Sequence, residues 1–587
     1  MATSTAVSVK AQRANDQLHA LLTATAFLLA ILAAHPFVEM GVNDDWSYIR
    51  TAQLMAHTGH FMYVGWAVEP LGWQILLGAL FIKVLGFSFT AARLSTILIA
   101  VWCAYLTHRL MHRLGITEWN ATFGTLVVVL SPVFLPLAPS FMTDVPGFFA
   151  ILVCLYCCIR ALQARSVRAS LGWLAFAAVS NILLGTVRQI SWLGILVMVP
   201  ATGWLLRKSK PLLPVAIGLW LMGVAAIFSF LRWFAMQPYS LPEKIGGEPT
   251  GLHALAKAGG TQVLLALTLA LLALPVTAMF PVVDLKLKAA GWFRRLAVSL
   301  TLTATAAAAI LAVSLYLRAR LGHLPEHFLM PWLGNTITIR GSWDNEMVGT
   351  HPVVLNVWVR ALVSVVTIFC TCSCICILID LIRTQRRKII FASIPTTPLL
   401  ILLGSFLTAY GVLLLPRATF HVVYDRYLIP PLLIVIILLL LVYQSNFAPR
   451  GRVIGAVAMM SYGLFAIALS HDFYALGRAR VEAASTLQKA GIARTNIEGG
   501  FEFDAWTQLE QWGYINQPDI VNPPGAFHRP ARYTFTSCKA VFTRFPEEVP
   551  AVDPRYVLAY DQTCFKPSNF APLAYRTWLP PYDQKVY

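Results

Sequence analysis

Long apolar runs separated by short polar segments dominate the sequence. About thirteen of these runs match the ~20 apolar residues that a helix needs to cross a bilayer. They lie at 18–38, 90–110, 119–138, 145–162, 169–187, 190–206, 211–231, 261–283, 296–317, 355–381, 393–415, 427–443 and 453–470. The pattern therefore predicts an all-α polytopic membrane protein.

One further apolar run, 71–87, is shorter and carries Lys83. If this run lies in the interface without crossing, the basic clusters all fall on the N-terminal side of the membrane. Those clusters lie at 108–113, 165–168, 207–210, 286–295, 383–388 and 450–452. Basic loops are typical of the cytoplasmic side, so we predict an interfacial helix at 71–87 and a cytoplasmic N-terminus.

The composition supports this reading. Hydrophobic residues make up 57% of the 587 residues and charged residues only 12%, whereas soluble domains carry about 25% charged residues. The net charge of +18 is explained by the basic loops, so we expect no nucleic-acid partner. The composition therefore indicates an integral multi-pass membrane protein. We expect the protein in a bacterial plasma membrane, with its active face outside the cytoplasm.

The predicted domains are a cytoplasmic tail (1–17), a transmembrane domain (18–470) with an outer loop at 39–89, and an extracytoplasmic C-terminal domain (471–587). The last region is polar and rich in proline, and its short runs of strand-forming residues predict a small α+β domain. These runs lie at 533–536, 540–543 and 556–560. Its two cysteines, Cys538 and Cys564, are expected to form a disulfide in an oxidising compartment. The other eight lie in apolar spans and are expected to pack there.

Two adjacent carboxylates, Asp44 and Asp45, follow directly after the first apolar run. Asn43 is a good N-cap, and acids in a first turn favour the positive end of a helix dipole. Ordinary helix-start chemistry and a catalytic role are therefore both open for this stretch.

Asp144 lies at the outer mouth of the fourth predicted span, on the same face as Asp44 and Asp45. Thr143 before it and Pro146 after it also suit a helix start. Acids that converge on one cavity can hold a divalent cation, or can divide the work between a base and an orienting group.

Two arginines are expected on this face, in Arg188-Gln189 and in Asp425-Arg426-Tyr427. An arginine at a helix mouth is either an interfacial anchor or a bidentate ligand for a phosphate. Asp425 can form a local ion pair that orients Arg426. Lys244 and Arg417 are weaker candidates of the same type.

Four short motifs together resemble the GT-C membrane glycosyltransferases, in particular the protein mannosyltransferase and aminoarabinose transferase branch. They are Asn43-Asp44-Asp45-Trp46-Ser47-Tyr48, Glu69-Pro70-Leu71, Thr143-Asp144 and Tyr424-Asp425-Arg426-Tyr427-Leu428-Ile429-Pro430. The resemblance covers roughly 18–200 and the late Asp-Arg-Tyr segment. It implies an inverting transfer of a sugar from a polyprenyl-phosphate donor to a glycan, lipid or protein acceptor.

The resemblance also implies roles for individual residues. The catalytic set is Asp44, Asp45 and Asp144, with Asp44 favoured over Asp45 as the base. Many relatives have Lys-Pro-Pro where this chain has Glu69-Pro70-Leu71, so Arg188 and Arg426 would replace the missing lysine. The expected set for binding the donor phosphate and the substrate is Arg188, Gln189, Arg426, Tyr427, Asp425, Tyr48 and Glu69.

The chemistry requires no cofactor, and the sequence has neither a Walker motif nor H-E-x-x-H. A divalent metal is possible, with Asp44 and Asp144 as its ligands. The alternatives are a transporter or flippase for lipid-linked sugars, which would use these residues as ligands without chemistry, and a non-catalytic assembly subunit.

Overall fold

The computed structural model describes a protein built almost entirely from helices. The described residues are 2–209, 211–242, 251–287, 291–321, 328–343, 347–384, 396–420, 423–447, 449–530, 545–563 and 565–587.

The first ten helices cover the N-terminal part of the chain. They are α1 (Ala2–Ala33), α2 (Asp45–Thr58), α3 (Gly72–Leu85), α4 (Phe89–Arg113), α5 (Glu118–Val129), α6 (Phe134–Leu137), α7 (Asp144–Leu162), α8 (Val167–Leu184), α9 (Val199–Leu205) and α10 (Leu212–Ala235). Local sequence sets several ends: the Ser88 and Ser166 hydroxyls accept bonds from the backbone N–H groups of Ala91 and Ala169. Gly59 ends α2 with a φ of 73°, which glycine adopts without strain.

The second set of helices and four short strands follow. They are α11 (Gly251–Leu272), α12 (Leu274–Thr277), α13 (Met279–Leu287), α14 (Trp292–Leu321), α15 (Val357–Thr384), α16 (Thr396–Phe420), α17 (Ile429–Asn446), α18 (Arg452–Lys489), β1 (Ile497–Glu498), α19 (Phe501–Trp512), α20 (Phe545–Glu548), β2 (Tyr556–Val557), β3 (Leu573–Arg576) and β4 (Asp583–Val586).

Among the described residues, 10 helices are long and apolar enough to cross a membrane, and a bent pair from Lys257 to Leu285 makes up to 11. These correspond to eleven of the predicted runs. The runs at 119–138 and 190–206 are divided instead: the first into α5 and α6, and the second into short helical turns that lead into α9. In the first, α5 ends before Pro132, which has no N–H for the helix ladder. The all-α polytopic architecture is confirmed.

Helix α3 occupies the run that we predict to lie in the interface. Its 14 residues extend only ~21 Å at 1.5 Å per residue, which is less than the ~30 Å hydrocarbon core. It packs between α2 and α4. Its length agrees with an interfacial helix.

The C-terminal region packs onto the end of α18. This helix continues to Lys489, so the predicted boundary at 470/471 falls inside it. Beyond it, β1 pairs parallel with β2, and β3 pairs antiparallel with β4. The run at 556–560 contains β2, whereas the runs at 533–536 and 540–543, together with Cys538 and Cys564, lie outside the described residues. Helix α19 contacts α2, which brings this region beside Asp44.

Candidate active site

The stretch around Asn43 does not use the helix-cap chemistry that its sequence suggests. Asn43 has a φ of 52°, in the left-handed region, and Asp44 is the N-cap of α2 without a side-chain cap bond. The prediction that Asn43 is the N-cap of this helix is therefore wrong. Both neighbouring carboxylates are free for other partners, and the two have different environments.

Asp45 is fully buried and every one of its near partners is a donor. Its oxygens accept from Arg93 Nε at 2.8 Å and Nη2 at 3.1 Å, from the Val42 N–H at 2.7 Å and from the Phe141 N–H at 3.0 Å. Arg93 also donates to the carbonyls of Val38 and Met40. A carboxylate satisfied in this way holds α2, α4 and the 141 loop together, which argues against Asp45 as a base.

Asp44, by contrast, is partly exposed, and among the described residues its side chain accepts a hydrogen bond from Trp66 Nε1 at 2.9 Å. Burial raises the pKa of Asp44 to about 6, while the charge of Arg426 and the Trp66 bond oppose that rise. The charges of Glu69 and Glu502 raise it further. A carboxylate with this pKa is mostly ionised at neutral pH and is still a useful proton acceptor.

The wall beside Asp44 is aromatic. The Trp46 and Trp66 rings lie 5.3 Å apart, and Phe501 of α19 lies 5.5 Å from Trp66 and 5.8 Å from Trp46. These rings lower the polarity around the carboxylate, which is consistent with burial as the largest cause of its raised pKa. The C-terminal region therefore forms part of this site.

Asp144 lies between two arginines. Its side chain is 3% exposed, and it forms a close ion pair with Arg188 Nη1 while Arg426 Nε lies 3.8 Å from the other oxygen. This double compensation makes Asp144 an orienting group for the guanidinium groups. It also argues against Asp144 as a metal ligand. No group of three metal-ligating side chains among the described residues includes Asp44 or Asp144.

Arg426 keeps unused hydrogen-bonding capacity. Its side chain is 8% exposed, and within the described part of the chain its Nε and Nη1 atoms have no hydrogen-bond partner. Its charge is the largest electrostatic influence on Asp44 after burial. A buried guanidinium with N–H groups that lack partners among the described residues is suited to bind an anionic ligand.

Tyrosine rings hold the arginines in place. Tyr427 lies 4.8 Å from the Arg188 guanidinium and 5.1 Å from that of Arg417, and Tyr424 lies 4.8 Å from that of Arg426. Arg417, a weaker candidate from the sequence, thus joins the cluster, whereas Lys244 lies outside the described residues.

Tyr48 and Glu69 meet on the same side of the site. Burial raises the pKa of Tyr48 well above its usual range, so the phenol stays protonated and donates to Glu69 Oε2 at 3.2 Å. Gln189 donates to the Val68 carbonyl at 3.0 Å, which fixes the loop that carries Glu69. Gln189 is therefore placed as a support of this loop.

Asp425 points elsewhere. Its two oxygens accept from the backbone N–H groups of Thr336 and Ile337 at 3.1 and 2.8 Å, and the residue is fully buried. The expected local ion pair with Arg426 is therefore wrong. Asp425 instead anchors the 328–343 segment next to the start of α17, so this geometry does not place it in the binding set.

Three contributors were missed from the sequence: Arg93, Trp66 and Glu502. A charged residue inside a predicted span needs a buried partner, and this signal could have identified Arg93. No local sequence pattern identifies Trp66 as part of the site. Glu502 lies in α19, accepts from the Asn43 N–H at 3.3 Å and pairs with Arg480 at 2.9 Å. Only the folded chain brings it to Asp44.

The sequence matches no family model and has no significant match among curated proteins. Among solved structures, the chain is similar to the S. cerevisiae protein O-mannosyltransferase Pmt1-Pmt2 complex bound to the sugar donor, with 15% identity and a TM-score of 0.32. That match covers 38% of this chain and 33% of the other, so the chain spans about a third of that relative's length.

The chain is also similar to ArnT from Cupriavidus metallidurans in two states. The structure bound to undecaprenyl phosphate has 11% identity and a TM-score of 0.39, and the match covers 80% of this chain and 72% of that one. The apo structure has 13% identity and a TM-score of 0.37, with 80% and 79% covered.

Proposed function

We propose that the protein is a membrane glycosyltransferase that moves a sugar from a polyprenyl-phosphate donor to a hydroxyl of a glycan, lipid or protein acceptor. The observation that carries the proposal is the juxtaposition of two groups. One is the Asp44 carboxylate, whose pKa is raised to about 6, and the other is the buried Arg426 guanidinium, whose Nε and Nη1 atoms have no hydrogen-bond partner among the described residues. One is suited to accept a proton and the other to bind a phosphate.

In this reaction, the acceptor oxygen attacks the anomeric carbon while its proton passes to Asp44. The bond between that carbon and the phosphate oxygen breaks, and the lipid phosphate leaves with the additional negative charge. Arg426 and Arg188 stabilise that charge, and Asp144 keeps both guanidinium groups oriented. A single displacement inverts the anomeric centre. The donor bond supplies the driving force, so the reaction needs no ATP.

The site also suits the location of such a donor. The short apolar helix α3 ends just before Phe89, whose N–H donates to Glu39 at 2.9 Å, and α3 packs on α2, which begins at Asp45. An interfacial helix at this position would guide a polyprenyl tail toward the site. We place the active face and the C-terminal region outside the cytoplasm, because the positive-inside rule puts the basic loops on the opposite side.

The test uses purified full-length protein with polyprenyl-phosphate sugars that carry a radiolabel, together with an extract of acceptors. We expect wild type to release lipid phosphate and label an acceptor, and Asp44→Asn to lose ~10²–10⁴-fold of this rate, the usual contribution of a general base. Asp519→Asn, at an exposed acid of the C-terminal region, is the matched control and should keep the wild-type rate.

Two results would contradict the proposal. Equal release by wild type and Asp44→Asn would remove the base assignment. A well-folded wild type that releases no lipid phosphate, yet carries intact donor across proteoliposomes, would favour transport.

A further inference from the structure

A second cluster of chemically active side chains lies far from Asp44, at the other end of α4. Arg93 and His112 are on the same helix, ~28 Å apart at 1.5 Å per residue. At this end, ligand atoms of Asp16, His112 and Glu118 all lie within 4.8 Å of one another. They come from three different helices: α1, α4 and α5.

The local sequence brings these residues together through a tight turn. Gly115 adopts a φ of 85°, in the left-handed region that favours glycine, and reverses the chain between α4 and α5. Gln444 of α17 fixes the turn, since it donates to the Gly115 carbonyl at 2.8 Å and accepts from the Thr117 N–H at 2.7 Å. His112 and Glu118 are thus held face to face on a rigid frame.

The distances within the cluster are short. His112 Nε2 lies 2.9 Å from Glu118 Oε1, and its Nδ1 lies 3.6 Å from Asp16 Oδ2. One turn earlier on α4, His108 Nε2 lies 3.7 Å from the other Glu118 oxygen. Two imidazoles and two carboxylates therefore converge from four positions.

The buried part of the cluster is lined by groups that can bind a cation. Both carboxylate oxygens of Glu118 are buried atoms that lie against imidazoles: Oε1 is 2.9 Å from His112 Nε2, and Oε2 is 3.7 Å from His108 Nε2. His108 is completely buried, and its Nε2 also lies 3.2 Å from Thr122 Oγ1. Carboxylate and imidazole groups that converge in this way are suited to bind a divalent metal ion.

We propose that Asp16, His112 and Glu118 bind a divalent transition-metal ion of the zinc class. Mixed imidazole and carboxylate donors select zinc over magnesium or calcium, which prefer oxygen ligands alone. Bonds of ~2.0–2.2 Å to such an ion require only a small contraction of the observed spacing. The ion joins the start of the α1 span to the α4–α5 turn, so its role is structural and independent of the transferase reaction.

The test measures metal directly. Full-length protein, freed of any affinity tag and stripped with a chelator, is incubated with zinc chloride, separated by gel filtration and assayed by mass spectrometry for zinc per chain. We expect one equivalent in wild type. Glu118→Gln and His112→Ala should weaken zinc binding by at least the ~10–100-fold that loss of an outer-shell partner costs. His57→Ala, at an exposed histidine on α2, is the matched control and should retain one equivalent.

Thermal unfolding separates a site from a folding defect. Zinc should raise the Tm of wild type and of His57→Ala, and leave that of Glu118→Gln unchanged while its gel-filtration profile stays monodisperse. No zinc in wild type, or the same zinc content in all four proteins, would overturn the proposal.

Discussion

Two buried acid–arginine sites lie beside the same stretch of chain: the pair of Asp45 and Arg93, and the cluster of Asp144, Arg188 and Arg426. The two sites differ in how many of their hydrogen-bonding groups have partners. Every near partner of Asp45 donates to it, and Arg93 uses its remaining N–H groups on two carbonyls. Arg426 keeps Nε and Nη1 without partners within the described residues. A saturated ion pair stabilises a fold, whereas an unsaturated one is prepared for a ligand.

The largest expected effect follows from breaking the saturated pair. Arg93→Met removes the partner of a fully buried carboxylate, and the loss of one member of such a pair typically costs ~3–5 kcal/mol. We expect a lower Tm and poor recovery of folded protein, measured by thermal unfolding in detergent. The double variant Arg93→Met with Asp45→Asn should recover part of the loss, because no unpaired charge stays buried. A double variant no more stable than the single one would show that the charge is not the cause.

The next effect tests the unsaturated cluster. Arg426→Gln should lower the transfer rate by ~10²–10³-fold, the usual cost of losing one donor to a developing negative charge. The Tm should change little by comparison with Arg93→Met, because Asp144 keeps its pair with Arg188. The measurement is the rate of lipid-phosphate release alongside the Tm. A large loss of Tm with an unchanged rate per folded molecule would reverse the comparison.

This contrast also explains what the sequence could predict. Hydropathy alone locates the membrane helices, because a run of apolar residues has few alternatives to a helix in lipid. The motifs brought together Asp44, Asp144, Arg188 and Arg426, since residues at the outer mouths of neighbouring spans share a face. The sequence favours Asp44 over Asp45 only through the family resemblance. The fold gives the two carboxylates different environments, because Arg93 and the Phe141 N–H donate to Asp45 from distant parts of the chain.

Other features depend on contacts that no local pattern encodes. The sequence suggests that Asp425 pairs with its neighbour Arg426. In the fold, Asp425 instead accepts hydrogen bonds from the backbone N–H groups of Thr336 and Ile337, which are almost ninety residues earlier in the chain. Helix α18 continues past residue 470, and it packs against β3 and β4 of the C-terminal region. Hydropathy marks where a helix leaves lipid, and it does not mark where the helix ends.

A smaller effect concerns the proton acceptor. Trp66 donates to Asp44 and so favours its ionised form, which lowers the pKa. A base must be ionised to act, so activity should fall as the pH drops through about 6 in wild type. Trp66→Phe removes the bond and raises the pKa, which should move this acidic limb to higher pH by about one unit. The pH profile of kcat/KM is the measurement, and a limb that stays in place would contradict Asp44 as the titrating base.

The smallest effect is expected for Glu69→Gln, which should shift the acidic limb in the opposite direction from Trp66→Phe. The negative charge of Glu69 raises the pKa of Asp44, so Glu69→Gln should lower that pKa and move the acidic limb to lower pH by less than about one unit. The variant keeps an acceptor for the Tyr48 hydroxyl, which preserves the local contact. The pH profiles of Trp66→Phe and Glu69→Gln are measured in the same buffers. Opposite shifts of the acidic limb would indicate a change at Asp44. A general loss of structure would instead lower the rate at every pH without moving the limb. A shift of both variants in the same direction would mean that a different group controls the acidic limb.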